Sequence, residues 1–208
     1  MRTSRNPAEA RGKVVYLAIS NPGMKDESSL LKAAKRLDQE ALTAIFDLYA
    51  PALYKYGLRL CHDPIEADNI VGDVFAQLLE QLAAGQGPLT NLRSYLYQIA
   101  YHSVINRVRH DRRFTTLEVV TAAPGRLSSV STQSTVEERV LMDALVSTLN
   151  NELTDDQRHV IILRFLEDFS LRETAAIIGK TVNNIKVIQN RAIARLRKSL
   201  DLHLDKDS

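Results

Sequence analysis

The sequence predicts an all-α protein made of two small helical domains joined by a flexible linker. Three observations predict this class. Apolar residues recur at helical spacing over most of the 208 residues. Residues that cap helix N-termini precede several of these apolar runs. One segment rich in Ser, Thr, Gly and Pro interrupts the helical pattern, and no pair of segments alternates as paired strands do.

The first domain is predicted at residues 28–113, after a loose extension at residues 1–27. The extension has no helical period, and translation starting at Met24 would remove most of it. Within the domain, Asp38 and Asp63 are predicted N-caps, and the Glu66 side chain is expected to reach back to the second cap. An apolar stripe then follows at Ile70, Val71, Val74, Phe75, Leu78, Leu79 and Leu82, and a fourth helix is predicted at about 91–112.

The linker is predicted at residues 114–135, where the apolar residues lose any sustained period. A second helical domain is predicted at 136–202, followed by a short tail at 203–208. Capping boxes at Thr154 and Ser170 mark two of its helices. A flexible coil of this length suits two domains held apart, and it does not suit one compact globule.

Composition excludes several classes of protein. The net charge of +2 is too small to prove a polyanionic partner, so the location of the positive charge matters more. Cys61 is the single cysteine, and Cys/His pairs at ligand spacing are absent, so we expect neither a metal nor a cofactor. No apolar run approaches the roughly 18 residues that span a bilayer, so we expect no membrane insertion and a cytoplasmic protein.

The segment 170–198 predicts a helix-turn-helix. Gly179 stands where the chain must turn, and Thr181 suits the N-cap of the second helix. Short polar side chains near that N-terminus suit base edges, and cations suit phosphates. The candidate DNA-binding residues are Thr181, Asn183, Asn184, Lys186, Val187, Asn190 and Arg191. The alternative is a packed hairpin on which these positions are simply solvated.

A second candidate surface lies on the predicted helix 91–112. Tyr95, Tyr97 and Tyr101 offer flat faces for unstacked bases. Five arginines could contact phosphates: Arg93, Arg107, Arg109, Arg112 and Arg113. The alternative is that some of the tyrosines are core, because Tyr95 and Tyr101 cannot share one face of a helix.

Three stretches of the chain resemble one family. "LTDDQRHVIILRFLEDFSLRETAAIIGKTVNNIKVIQNRAIARLRKSL" resembles region 4 of the extracytoplasmic-function sigma factors of bacterial RNA polymerase. Upstream, "EADNIVGDVFAQLLE" and "LRSYLYQIAYHSVINRVRHDRR" resemble the two motifs of region 2, in the family's order and at similar separation. The C-terminal motif is shared with other bacterial regulators, so the upstream match makes the resemblance specific.

The resemblance implies a role for each domain. The region 2-like domain would bind core RNA polymerase at its β′ clamp helices through Asp68, Asn69, Val71, Gly72, Asp73 and Phe75. The tyrosine- and arginine-bearing helix, together with His102 and Asn106, would read and melt the minus-10 DNA. The region 4-like domain would read the minus-35 element and contact the β flap. Promoter DNA and core polymerase are the implied partners, and an anti-sigma factor is a common further partner in the family.

The chain departs from the family pattern at several of these positions. Asn69 and Gly72 replace the Asp and Gln that the family prefers in its clamp-binding motif. A mid-helix Gly destabilises a helix by about 1 kcal/mol relative to Ala, so we expect either a loosened helix or a closely approaching partner. Tyr95 stands in place of the usual Trp, and Tyr101, His102 and Asn106 also differ, which alters the expected minus-10 preference.

Two other functions are open at the level of sequence. A stand-alone helix-turn-helix regulator would bind its site without polymerase, typically as a dimer. An enzyme is disfavoured, because the histidines are scattered and the sequence has no Gly-rich phosphate loop or nucleophile arrangement.

Overall fold

The computed structural model describes residues 27–88, 90–114 and 152–204, and for 108–114 and 200–204 it describes the helix backbone alone. The N-terminal half contains α1 (Glu27–Ala34), α2 (Gln39–Cys61), α3 (Pro64–Ala83) and α4 (Leu92–Phe114). The C-terminal half contains α5 (Asp155–Ile161), a π-helical turn (Ile162–Leu166), α6 (Leu171–Ile178) and α7 (Val182–Leu204). Every regular element in these ranges is helical, as predicted. The predicted extension, linker and helix start at 136 lie outside the described residues.

Capping residues set the helix ends in the N-terminal half. Asp38 Oδ1 accepts a hydrogen bond from the Ala41 amide at 2.9 Å, so Asp38 caps α2 as predicted. Asp63 Oδ1 accepts from the Ile65 amide at 2.7 Å, and Pro64 takes the first helical position of α3. Pro51 lies inside α2, which continues through it to Cys61. Local sequence signals therefore fix where α2 and α3 begin.

The helix-turn-helix of the C-terminal half is built by the predicted signals. The Ser170 and Glu173 side chains each bind the other residue's amide, at 3.1 and 2.8 Å, and start α6. Gly179 adopts the left-handed conformation, with φ of 72°, and ends α6. Thr181 Oγ1 then accepts from the Asn184 amide at 3.3 Å and starts α7.

A π-helical turn interrupts the C-terminal half between α5 and the helix-turn-helix. The Glu167 amide donates to the Ile162 carbonyl at 2.9 Å, five residues back instead of four. The Phe169 amide donates to the Leu163 carbonyl at 2.9 Å, and Asp168 takes a positive φ of 53°. These bonds place the side chains of Glu167 and Phe169 against the N-terminal half.

The two halves share one hydrophobic core, although the linker length did not suit one compact globule. Their expected separation on a polymerase surface stays a prediction. The apolar cluster runs continuously from α1–α4 into α5, the π-helical turn and α6. Tyr97 of α4 packs edge-on against Phe169, with ring centroids 4.8 Å apart, and Tyr101 packs on His159 at the same distance. The aromatic face of α4 is apolar enough to be covered, and the C-terminal half covers it.

We predict that Gly179→Ala lowers the free energy of unfolding by about 1–2 kcal/mol, because a Cβ is unfavourable in the left-handed conformation. Urea denaturation followed by circular dichroism measures this change. Gly179→Asn should lower the free energy of unfolding by less, since Asn tolerates the left-handed conformation. Gly72→Ala is the opposite control: Gly72 is exposed within α3 and a Cβ there meets nothing within 4 Å, so this variant should gain up to about 1 kcal/mol. Equal stability of Gly179→Ala and the parent would contradict the argument.

Candidate functional site

The first turns of α7 present the predicted recognition surface. Ile185 and Ala192 are fully buried, which fixes the rotation of the helix. All seven predicted DNA-binding residues are exposed on the remaining surface: Thr181, Asn183, Asn184, Lys186, Val187, Asn190 and Arg191. Val187 is an apolar side chain with 47% of its surface exposed, as a thymine-methyl contact requires. The geometry allows DNA contact here, and the contact itself stays a prediction.

The predicted polymerase-binding residues of α3 divide between surface and core. Asp68, Asn69 and Gly72 are exposed. Val71 is 8% exposed, so the expectation that it contacts a partner is wrong for this structure. Its helical position places it with the core stripe of α3 instead of the outer face.

An exposed apolar patch lies beside these residues, and we call Phe46, Phe75 and Leu79 the α2–α3 patch. Phe75 is half-buried, and its ring centroid lies 4.7 Å from that of Phe46 of α2. Phe46 and Leu79 are 46% and 43% exposed. Phe46 was not a candidate from the sequence, and Leu79 was assigned to the apolar stripe of α3. That stripe has seven apolar positions, which is more than one buried face holds. This excess of apolar positions is the sequence signal that part of the stripe is exposed.

Asp73 and Arg107 form an ion pair that joins α3 to α4. Arg107 Nη2 donates to Asp73 Oδ2 at 2.7 Å, and Arg107 Nη1 donates to Glu66. Ser103 Oγ also donates to Asp73 Oδ2, at 2.7 Å. Partial burial alone would raise the pKa of Asp73, and the hydrogen bonds from Arg107 and Ser103 outweigh it and lower that pKa.

This ion pair gives three predicted residues a structural partner. Arg107 is engaged by two carboxylates and is not a free phosphate contact. The Asp73 carboxylate binds Arg107 and Ser103 of α4, while its side chain stays 51% exposed, so its contact with polymerase stays a prediction. Glu66 accepts from Arg107 instead of reaching back to the N-cap. In each case an opposite charge on the neighbouring helix competes for the side chain, and sequence spacing along one helix does not show it.

A cleft of about 500 Å³ lies between α3 and α4, and Asp73 and Arg107 of this ion pair line it. His102 and Asn106 of α4 line it and are exposed, together with Gln77 of α3. These two minus-10 candidates are therefore open to solvent, with both hydrogen-bond donors and acceptors available to a base.

The opposite face of α4 is covered by the C-terminal half. Tyr97 is fully buried and Tyr101 is 8% exposed, so neither ring is free to stack a base in this structure. Arg93 is also engaged: its guanidinium lies 4.0 Å from the Phe169 ring centroid. Tyr95 is half-buried. Tyr97 and Tyr101 therefore follow the alternative interpretation, in which some of the tyrosines are core.

Glu167 binds three side chains of the N-terminal half. Its Oε1 accepts from Arg59 Nη1 at 2.8 Å, and its Oε2 accepts from the Tyr97 hydroxyl at 2.5 Å. Arg93 donates to its backbone carbonyl. Burial, and then the negative charge of Glu167, raise the pKa of Tyr97 well above its ordinary value, so the phenol keeps its proton. Neither Arg59 nor Glu167 was a candidate from sequence, because their pairing depends on how the halves dock.

A buried histidine provides the second polar contact between the halves. His159 Nδ1 lies 2.7 Å from the Tyr56 hydroxyl, and His159 is 2% exposed. Burial lowers the pKa of His159 to about 4, which keeps the imidazole neutral at pH 7. Burial also raises the pKa of Tyr56. The pair is thus a neutral hydrogen bond inside an apolar core.

Three predicted phosphate contacts, Arg109, Arg112 and Arg113, lie where the side chains are not described. Within 27–88, 90–114 and 152–204, no group of His, Cys, Asp and Glu is arranged to hold a metal ion. No helix in these ranges is long and apolar enough to cross a membrane.

Two family models match the chain, one over each half. Sigma-70 region 2 matches residues 45–114, and Sigma-70 region 4 matches residues 151–198. The two matches cover more than half of the chain and place both halves in one family. The chain is an extracytoplasmic-function sigma factor. Its class directs RNA polymerase to promoters, and the interpretation as a stand-alone regulator is not favoured.

Curated relatives agree with this family over most of the chain. The RNA polymerase sigma factor YlaC of Bacillus subtilis is 26% identical over 78% of this chain and 93% of its own length. The ECF RNA polymerase sigma factor SigW of the same organism is 28% identical over 82% of this chain and 94% of its own length.

Two solved structures share the fold. CnrH, in complex with the cytosolic domain of CnrY, superposes with a TM-score of 0.63 at 21% identity, over 85% of this chain and 97% of that one. The sigma factor RpoE of Bartonella quintana, in complex with the anti-sigma factor NepR, superposes with a TM-score of 0.57 at 25% identity. The match covers 76% of this chain and 96% of that one.

We predict that acid destabilises the sigma factor through His159. Its pKa is about 4 in the fold and 6.5 ordinarily, so the unfolded chain binds more protons between these values and stability falls as pH drops through this window. The free energy of unfolding should fall by about 2 kcal/mol from pH 7 to pH 5. The other titratable and charged groups acting on or contacting His159 are Tyr56, Tyr101, Arg158, Asp155 and Asp156.

Urea denaturation at the two pH values measures this loss. His159→Gln should flatten the pH dependence, because Gln does not titrate. His102→Gln removes an exposed histidine and should leave the dependence unchanged. An equal pH dependence in His159→Gln and the parent would show that another group is responsible.

Proposed function

We propose that the sigma factor reads the minus-35 element through α7 and docks on core polymerase through the outer face of α3. The observation that carries this proposal is the exposed polar edge of α7, where seven side chains of suitable chemistry surround a buried inner face. Asn side chains suit adenine, and Lys186 and Arg191 suit phosphates or guanine.

Docking on the β′ clamp helices is proposed at Asp68, Asn69, Gly72 and the α2–α3 patch. Asp68, Gly72, Phe75 and Leu79 follow one another at spacings of three or four residues and so lie along one side of α3. Exposed apolar side chains rimmed by polar ones are typical of a protein interface. The β flap contact of the C-terminal half is proposed from the family alone.

Minus-10 recognition is proposed for α4. His102 and Asn106 are already exposed beside the cleft, and Tyr95 is partly so. Arg93, Tyr97 and Tyr101 could join them only after the C-terminal half moves away. Arg109, Arg112 and Arg113 are proposed phosphate contacts from sequence.

The remaining proposals follow from the class. The sigma factor supplies specificity and duplex opening, while the chemistry of transcription belongs to the polymerase, so we propose no catalytic activity. Its site of action would be the cytoplasm. An anti-sigma partner is proposed because the similar sigma factor RpoE is complexed with the anti-sigma factor NepR.

Run-off transcription tests the function directly. Core polymerase is incubated on genomic fragments with and without the full chain, and transcripts that depend on the chain identify its promoters. A footprint from the chain alone, equal to that with polymerase, would favour a stand-alone regulator instead.

We predict that Arg191→Ala weakens promoter binding by the holoenzyme by about 1–3 kcal/mol, because it removes an exposed cation at the recognition edge. Binding to core polymerase should not change. Arg36→Ala, which removes an exposed cation from the other half, is the matched control. Electrophoretic mobility shift with holoenzyme measures promoter affinity. A loss of core binding in Arg191→Ala would contradict this division of labour.

We predict that Leu79→Ser weakens core polymerase binding several-fold by removing apolar surface from the α2–α3 patch. Leu79 is 43% exposed, so the fold should survive. Leu37→Ser removes a similarly exposed leucine, at 49%, from the turn between α1 and α2 and should bind normally. Fluorescence anisotropy with labelled sigma factor measures both, and equal affinities would place docking elsewhere.

A further inference from the structure

The contact between Glu167 and the N-terminal half has the chemistry of an anion site. Arg59 and Tyr97 each donate to a different oxygen of the carboxylate, at 2.8 and 2.5 Å. Arg93 donates to the carbonyl of the same residue. One guanidinium group and a phenol bind the carboxylate, and a second guanidinium group binds the carbonyl oxygen of the same residue. Phosphate oxygens can be bound by the same donors.

We propose that Arg59 and Arg93 form a DNA phosphate site which Glu167 occupies as an internal ligand, so that the free sigma factor masks its own minus-10 surface. The inference rests on the proposed function for the identity of the DNA. It adds Arg59, which neither the sequence pattern nor the family match assigns.

Aromatic contacts also support the proposal that DNA replaces contacts made by the C-terminal half. Tyr97 is covered by Phe169, with centroids 4.8 Å apart, and Tyr101 by His159 at 4.8 Å. Both covering rings belong to the C-terminal half. Bases stacked on Tyr97 and Tyr101 would take the places of these two rings, as phosphate would take the place of the Glu167 carboxylate.

The closed arrangement is held at more than one point. Tyr56 and His159 share a buried hydrogen bond at 2.7 Å, and Asn91 Nδ2 donates to Glu173 Oε1 at 3.3 Å. Among these C-terminal partners within the described residues, Glu167 alone places a buried charge against a guanidinium group of the N-terminal half, that of Arg59. Removing its charge leaves Arg59 without a counter-charge in a poorly solvated position, which weakens closure.

Masking lowers DNA affinity in a predictable way. If only a small fraction of the free chain is open, the apparent dissociation constant rises by the inverse of that fraction. A partner that holds the halves apart removes this penalty. Binding to a polymerase through the C-terminal half and through the outer face of α3, which stays exposed in the closed state, would do so.

The test compares Glu167→Gln with Asp168→Asn in the full chain. Both remove one negative charge at neighbouring positions, but Asp168 is exposed and Glu167 is buried. Small-angle X-ray scattering measures the radius of gyration, and fluorescence anisotropy measures binding of fluorescein-labelled oligo(dT). We expect Glu167→Gln to have a larger radius and to bind oligo(dT) several-fold tighter, while Asp168→Asn matches the parent.

Arg59→Gln distinguishes the role of Arg59 in closure from its role as a phosphate ligand. It should increase the radius as Glu167→Gln does, but it should gain less oligo(dT) affinity because a phosphate ligand is gone. If Glu167→Gln does not fold, as judged by circular dichroism, the radius of Arg59→Gln still tests closure. Run-off transcription by the parent tests the proposed function separately and does not depend on closure.

Three outcomes overturn the proposal. The first is an unchanged radius and affinity in Glu167→Gln. The second is an equal gain in affinity in Asp168→Asn, which would reflect net charge alone. The third is opening without any gain in oligo(dT) binding, which would mean that the site does not accept DNA phosphate.

Discussion

The carboxylate of Glu167 lies where the two halves of the chain meet, and the arrangement of the other surfaces depends on it. A buried charge is unfavourable unless it is paired and hydrogen-bonded. Glu167 meets both conditions only because Arg59 and Tyr97 of the N-terminal half reach it. Around this pair the aromatic side chains of α4 are covered, so the docking of the halves decides which residues of the N-terminal half face solvent.

The surfaces of α3, α4 and α7 therefore differ in how far they are exposed when the two halves are together. The recognition edge of α7 and the outer face of α3 are exposed with the halves together. On α4, one face is open beside the cleft and the other is covered by Phe169 and His159. With the proposed assignments, such a sigma factor would present its polymerase-binding and minus-35 surfaces before its complete minus-10 surface. This order fits binding to polymerase first and to melted DNA second.

Local features were predictable from the sequence, and features that depend on docking were not. Asp38, Ser170, Gly179 and Thr181 act through residues within a few positions of themselves, so their capping and turn roles follow from sequence alone. The exposure of the α7 edge followed from helical spacing. The contacts of Tyr97 and Arg107 did not follow from sequence. Tyr97 binds Glu167, which is 70 residues away, and Arg107 binds Asp73, which is 34 residues away. Residue spacing within one helix carries no information about such partners, and the aromatic face of α4 suits a base or a core equally well.

The π-helical turn at Ile162–Leu166 acts as a one-residue insertion in a helix. An α-helix advances by about 100° per residue, so removing one residue here would rotate the downstream chain by about that angle. Asp168, now exposed, would then take the direction that Glu167 has here, and Glu167 would turn away from Arg59. Relatives could therefore retain both acidic residues and still lose the contact with Arg59, through a change in length. The strength of the closed state in such proteins would be set by chain register, a property that comparing residue types position by position does not reveal.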